Sequence, residues 1–142
     1  TEAYELCGYR ELSEKYQVPV QSHLSEGLDE IEWVKQLKPG LSCYGEAYDM
    51  YDLLGSRQPA VMAHVVHPNE AEYELIKHRN VLVAHCPQSN TNAANGVAPI
   101  LQMVHDGIRV GLGTDMAGGY NLNLLRTITD AIQASKLLWC FT

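Results

Sequence analysis

Val18-Pro19-Val20-Gln21-Ser22-His23-Leu24-Ser25-Glu26 is the stretch that decides the fold. Its Val-rich opening predicts a short strand, and its polar end sets an imidazole and a carboxylate where strand gives way to loop. The design recurs along the chain. Val61-Met62-Ala63-His64 and Val81-Leu82-Val83-Ala84-His85 are apolar runs ending in histidine, and Val110-Gly111-Leu112 leads into Gly113-Thr114-Asp115. Four consecutive strands ending in His, His, His and Asp predict one rim, because the loops after parallel strands converge on a single face.

Helical patterns fill the intervals. Residues 2–15 carry Leu6, Tyr9 and Leu12 at helical spacing, and residues 29–37 place Ile31, Val34 and Leu37 on one side before Pro39-Gly40. Residues 42–48 read as extended and 50–54 as a short helical piece. Residues 69–78 predict a helix entered after Pro68 with acids in its first turn, where the helix dipole favours them. Residues 97–105 predict another, and a long helix is expected from residue 121 to the C-terminus. Each strand-to-strand interval accommodates a crossover, so the expected class is α/β with parallel βα repeats in one domain spanning residues 1–142. A closed eight-stranded barrel takes about 250 residues. Four strands make about half of one.

Composition narrows the function classes. The chain has 142 residues, 46% of them hydrophobic and 19% charged, which suits a globular domain with a real core. A formal charge of −7 and scattered basic residues argue against nucleic-acid binding and against an anionic membrane surface. No apolar run reaches the roughly 20 residues of a membrane span. The four cysteines, Cys7, Cys43, Cys86 and Cys140, form no Cys-x-x-Cys pair. The expectation is a soluble cytoplasmic protein with free thiols.

Each candidate site residue has two readings. His23 and Asp115 suit zinc, which takes neutral imidazole and carboxylate and keeps a position for water when catalytic; alternatively His23 is a core histidine and Asp115 a helix cap. Alternation puts Gln21 and His23 on one face and groups Gly111 and Gly113 beneath Asp115, leaving room for a ligand. Glu26 could shuttle protons beside an activated water, or serve as an N-terminal acid for the helix near Asp29. His64 could orient a water or polarise a carbonyl. His85, in His85-Cys86-Pro87-Gln88-Ser89-Asn90, reads equally as a loop anchor in a turn-forming string. The role of His67 stays open. His78 and His105 are expected at solvated helix ends.

In this order, Gln-Ser-His-Leu-Ser-Glu from Gln21, Ala-His at His64, His-Cys-Pro-Gln-Ser-Asn from His85 and Gly-Leu-Gly-Thr-Asp-Met-Ala-Gly-Gly-Tyr from Gly111 resemble the metal-dependent amidohydrolase superfamily. Within it, 19–26 with Asp29-Glu30, and 111–120, resemble the guanine deaminases. Related adenosine-type and triazine hydrolases share parts of the pattern and diverge after the Asp. The resemblance implies the second half of a TIM-type barrel and hydrolytic deamination of guanine to xanthine and ammonia. It implies zinc, with iron possible, held by His23 and Asp115. Asp115 would also take a proton from the attacking water, Glu26 would protonate the purine ring nitrogen and help deliver a proton to ammonia, and His64 would position the attacking oxygen. A homodimer is implied for the full enzyme.

The departures matter as well. The family's first strand carries a His-x-His that supplies two more metal ligands, and no His-x-His occurs here. The Arg-Phe pair that reads the substrate is also missing, and Thr91-Asn92-Ala93-Ala94-Asn95-Gly96 replaces a more apolar stretch. The expectation is therefore a segment of a longer enzyme. Two alternatives are a related aminohydrolase for another purine or a triazine, and a catalytically inert half-barrel.

Overall fold

The computed structural model describes residues 3–141. Strands β1 (Val20–Leu24), β2 (Ala60–His64), β3 (Leu82–His85) and β4 (Arg109–Leu112) form one sheet in chain order, each neighbouring pair parallel. Sequential order with a single direction is how a barrel wall is built; a doubly wound sheet reverses its order partway. In register, Gln21, Val61, Leu82 and Arg109 form one row, and His23, Ala63, Ala84 and Gly111 the row two residues further on.

Helix α1 (Ala3–Tyr16) precedes β1; α2 (Leu28–Leu37) and α3 (Glu46–Asp49) link β1 to β2; α4 (Glu70–His78) links β2 to β3. Then α5 (Pro87–Asn92) and α6 (Ile100–His105) precede β4, and α7 (Leu124–Phe141) follows it, packing on α5 and β4. Leu24, Ala60, Met62 and Val83 alternate onto one face of the sheet, where they meet Ile76 of α4 and Ile100 and Met103 of α6 in the core. The opposite face is open: Gln21 and Arg109 are exposed, and Leu82, Ala84 and Gly111 half-buried. Short strands thus have one covered face, as βα crossovers require. No helix among the described residues is long and apolar enough to cross a membrane.

The parallel repeat stands as expected, and several local readings are corrected. Residues 42–48 are not extended. Glu46 accepts a hydrogen bond from the Ser42 amide at 2.7 Å, and helix α3 forms across Glu46–Asp49. The helical piece expected at 50–54 is a series of turns, closed by the left-handed backbone of Asp52 (φ 58), which lets Leu53 and Leu54 drop into the core. The string after His85 is helical, because Pro87 sits in the first turn, where its missing N–H costs nothing. Helix α4 begins at Glu70, with Asn69 as its cap accepting from the Glu72 amide. Of the expected helix 2–15, residue 2 lies outside the described residues, as does residue 142 of the last helix.

Candidate active site

The C-terminal end of the sheet brings three of the candidates together. The rings of His23 and His64 stack, with centroids 5.3 Å apart and planes 17° from parallel. His64 Nε2 lies 3.5 Å from Glu26 Oε2. His23 is exposed, which removes its reading as a core histidine. Glu26 precedes the α2 cap at Gly27, and the first-turn acids there are Asp29 and Glu30, so Glu26 is not the helix-start acid.

Simple alternation would not produce the stack. His64 is in register with Leu24, on the helix-covered face, whereas His23 belongs to the open face. Two consecutive left-handed residues, His64 (φ 74) and Val65 (φ 48), turn the imidazole across. A β-branched residue there is a costly conformation, of order 1–3 kcal/mol, that persists only when surroundings dictate it. Here Val65 is fully buried, and its amide donates to Leu24 and Ala63 carbonyls at 2.9 and 3.1 Å. Ser25 (φ 46), beside Glu26, and Asp115 (φ 45) are left-handed too.

Partners fix the remaining orientations. The His64 Nδ1–H donates to Asn90 Oδ1 at 2.8 Å, with both residues 1% exposed. That leaves Nε2 facing Glu26, beyond direct hydrogen-bond length, so a proton on either partner would close the pair. Asn95 donates from Nδ2 to Glu26 Oε1 at 2.8 Å, and His67 Nε2 donates to the Asn95 carbonyl at 2.5 Å. His67 is thus the anchor of the loop that holds Glu26. The Glu26 amide donates to Glu30 Oε1 at 2.7 Å.

Asp115 occupies the loop after β4, at the same end of the sheet. Strand alternation does not reach it, because β4 ends at Leu112 and the backbone turns left-handed at Asp115. Nor does it cap α7, which starts at Leu124; the Gly119 amide donates to its carbonyl at 2.6 Å instead. Three glycines make this loop possible. A Cβ at Gly113 would sit 2.7 Å from Cys86 Sγ, one at Gly118 would sit 2.8 Å from Asp115 Oδ2, and one at Gly119 would collide with the Thr114 carbonyl oxygen. Burial, with added repulsion from Asp115 and then Glu26, pushes the Cys86 thiol up to about 11, so this thiol stays neutral between two carboxylates. Among the described residues, no group of three or more His, Cys, Asp or Glu is placed to hold a metal ion.

His85 is 1% exposed, and neither ring nitrogen has a partner. Burial first, and the neighbouring His64 second, lower its pKa to about 4, so the ring is neutral. His78 and His105 end α4 and α6, exposed as expected. Asn90 and Asn95 were not singled out from sequence; Asn90 was read only as part of a turn string.

Residues 3–139 match the Amidohydrolase family. The chain belongs to that family. It is 41% identical over 133 residues to a probable guanine deaminase of Schizosaccharomyces pombe, covering 94% of this chain and 25% of that protein. It is 42% identical over 120 residues to a 5'-deoxyadenosine deaminase of Methanocaldococcus jannaschii, covering 82% of this chain and 27% of that protein. The solved guanine deaminase of C. acetobutylicum, with guanine bound in its active site, superposes with a TM-score of 0.91 at 46% identity over 94% of this chain and 32% of that one. The chain spans about a quarter of the length of the curated relatives it matches.

Proposed function

We propose that this chain is the part of a guanine deaminase that supplies four consecutive strands of its catalytic barrel and most of its proton-transfer groups. The observation that carries the reading is the His23–His64–Glu26 constellation at the C-terminal ends of adjacent parallel strands, in a family whose solved guanine-bound member has the same fold here. The reaction adds water to the amino-bearing carbon of guanine. A C–O bond forms, the C–N bond breaks, and xanthine and ammonia leave.

The donor chemistry of His23 and Asp115 fits zinc, with iron as the alternative, but two donors are fewer than the three protein ligands a catalytic zinc takes. His23 and Asp115 would hold the metal together with ligands from the rest of the protein. When bound, such a metal lowers the pKa of water to about 7. The chain's own groups carry the protons. Asp115 accepts one from the attacking water; Glu26, entering as the acid, delivers its proton to the ring nitrogen next to the reacting carbon. Glu26 then takes up the hydroxyl proton of the adduct as the carbonyl forms and hands it to the departing amine, and the proton held by Asp115 resets Glu26. His64 orients the attacking oxygen, its free nitrogen set by the Asn90 bond. Asn95 and His67 hold the Glu26 carboxylate at the rim.

The test is steady-state ammonia release by the complete protein, with metal content measured on the same samples. Guanine turnover that requires metal supports the reading. The similarity to a 5'-deoxyadenosine deaminase favours one second reading, an aminohydrolase for a 6-aminopurine nucleoside. Preference for 5'-deoxyadenosine over guanine in the same assay would select it.

A further inference from the structure

Glu72 is a buried carboxylate for which the reaction above has no use. It lies in the first turn of α4, behind the strand ends that form the rim, and is 1% exposed. Placing a carboxylate there is expensive unless its oxygens are fully occupied. They are occupied: Oε2 accepts from the Ser25 hydroxyl at 2.6 Å and Oε1 from the Gly45 amide at 2.8 Å. Burial raises its pKa, offset in part by these two hydrogen bonds. The helix holding it is itself anchored, since Asn69 caps the Glu72 amide and donates to the Ser42 carbonyl at 2.8 Å.

Ser25, the donor to Glu72 Oε2, matters most. Ser25 separates Leu24 from Glu26 and is 1% exposed in a left-handed conformation (φ 46). Its carbonyl accepts from the amides of Val66 at 3.0 Å and His67 at 3.1 Å, the residues following the His64–Val65 turn. One residue therefore ties the end of β1 to the end of β2, and its conformation sets the direction in which Glu26 leaves the strand. Resting on the deaminase reading, we propose that Glu72 is a positioning residue: it holds the Ser25 hydroxyl, and through it the turn that aims Glu26 at the substrate.

The experiment measures kcat, KM and metal content for guanine turnover by the complete protein carrying E72L, E72Q or S25A, each alone and in an E26Q background. E72L and S25A should lower kcat by roughly 10–100-fold with KM and metal content unchanged, the loss typical of a displaced supporting group. E72Q should recover most of the rate, because its amide can accept from Gly45 while the Ser25 hydroxyl rotates to accept from it. In the E26Q background, adding E72L or S25A should cost little more. Full additional loss there overturns the proposal, since Glu72 would then serve the fold and not Glu26. E26Q turning over guanine at the wild-type rate overturns the role of Glu26, and the proposal with it, whereas a complete wild-type protein that releases no ammonia from guanine overturns the deaminase reading itself. If E72L does not fold, S25A, which deletes a single hydroxyl, decides alone: a wild-type kcat refutes the proposal.

Discussion

Replacing Asn90 with alanine isolates the contact that sets the chemistry of His64. The hydrogen bond is 2.8 Å long between two residues each 1% exposed, so no water replaces the lost acceptor. A buried ring nitrogen left without a partner costs about 1–3 kcal/mol, whether as donor or acceptor. Asn90 Nδ2 is itself unpartnered, and deleting it removes one unsatisfied donor. The net loss of stability should therefore fall near the low end, about 1–2 kcal/mol. Catalysis should suffer more than stability. With no acceptor at Nδ1, the proton moves to Nε2, where Glu26 Oε2 waits 3.5 Å away, and the nitrogen that faced the rim as an acceptor becomes a donor. Loss of such an orienting partner costs on the order of 10–100-fold in rate. Urea unfolding and ammonia release by the complete protein measure the two effects, and imidazole ¹⁵N shifts report the tautomer. A wild-type His64 carrying its proton on Nε2, or N90A at the wild-type rate, would refute the reasoning.

Other substitutions probe the rest of the site. E26Q should keep its metal and D115N only part of it, with both losing on the order of 10²–10⁴-fold in guanine turnover, whereas H78A and H105A at exposed helix ends should match wild type; ammonia release with metal analysis checks all four. His85 has a folded pKa of about 4 against an ordinary 6.5, so the unfolded chain takes the proton first. Its stabilising contribution is complete above about 6.5 and is lost as pH falls toward 4, about 3 kcal/mol in all. The unfolding free energy of wild type relative to H85Q should drop by that amount between neutral pH and pH 4, and parallel pH profiles would contradict it. G113A should destabilise by about 1–3 kcal/mol, because its Cβ would sit 2.7 Å from Cys86 Sγ. Adding C86A should recover most of this loss in urea unfolding; simply additive losses would show that the clash is not the cause.

The parallel order of the strands was legible because it is written in side-chain chemistry. Each Val-rich run is too short for a buried helix and ends in a polar residue, and the intervals accommodate crossovers. Residues 42–48 and 87–92 were misread for related reasons. Helix α3 exists because the Glu46 carboxylate reaches back to the Ser42 amide, a contact that composition does not announce. Helix α5 is polar throughout, with Gln88, Ser89 and Asn90 all buried, so its pattern has no apolar stripe to report. Its inward polar groups are held by specific partners, Asn90 by His64 at the rim, Gln88 by Asp130 of α7 and Ser89 by the Cys86 carbonyl, and a string built for such contacts looks like a turn.

At the site, the sequence indicated which side chains belong to the rim and not how they are aimed. Period-two alternation correctly pairs Gln21 with His23 and wrongly extends past Leu112 to Asp115. It would also send His64 to the helix-covered face. The resolving device is the same at three strand ends: a non-glycine residue in the left-handed region, at Ser25, His64 with Val65, and Asp115. Local preference opposes every one of these conformations, most of all at β-branched Val65. Tertiary contacts impose the first two, Glu72 on the Ser25 hydroxyl and the Leu24 carbonyl on the Val65 amide, while at Asp115 the turn is closed within its own loop by the Gly119 amide on the Asp115 carbonyl. Strain of this kind collects where function requires an orientation that a relaxed strand end does not provide. Sequence patterns encode relaxed preferences, so they locate such a rim and stop short of its geometry. The three turns also share a consequence. Each aims a group proposed here to move a proton or orient the attacking oxygen, and each is held by a residue outside that set, so the proposed catalytic geometry would depend on partners such as Glu72, Asn90 and Gly119 as much as on His23, Glu26, His64 and Asp115 themselves.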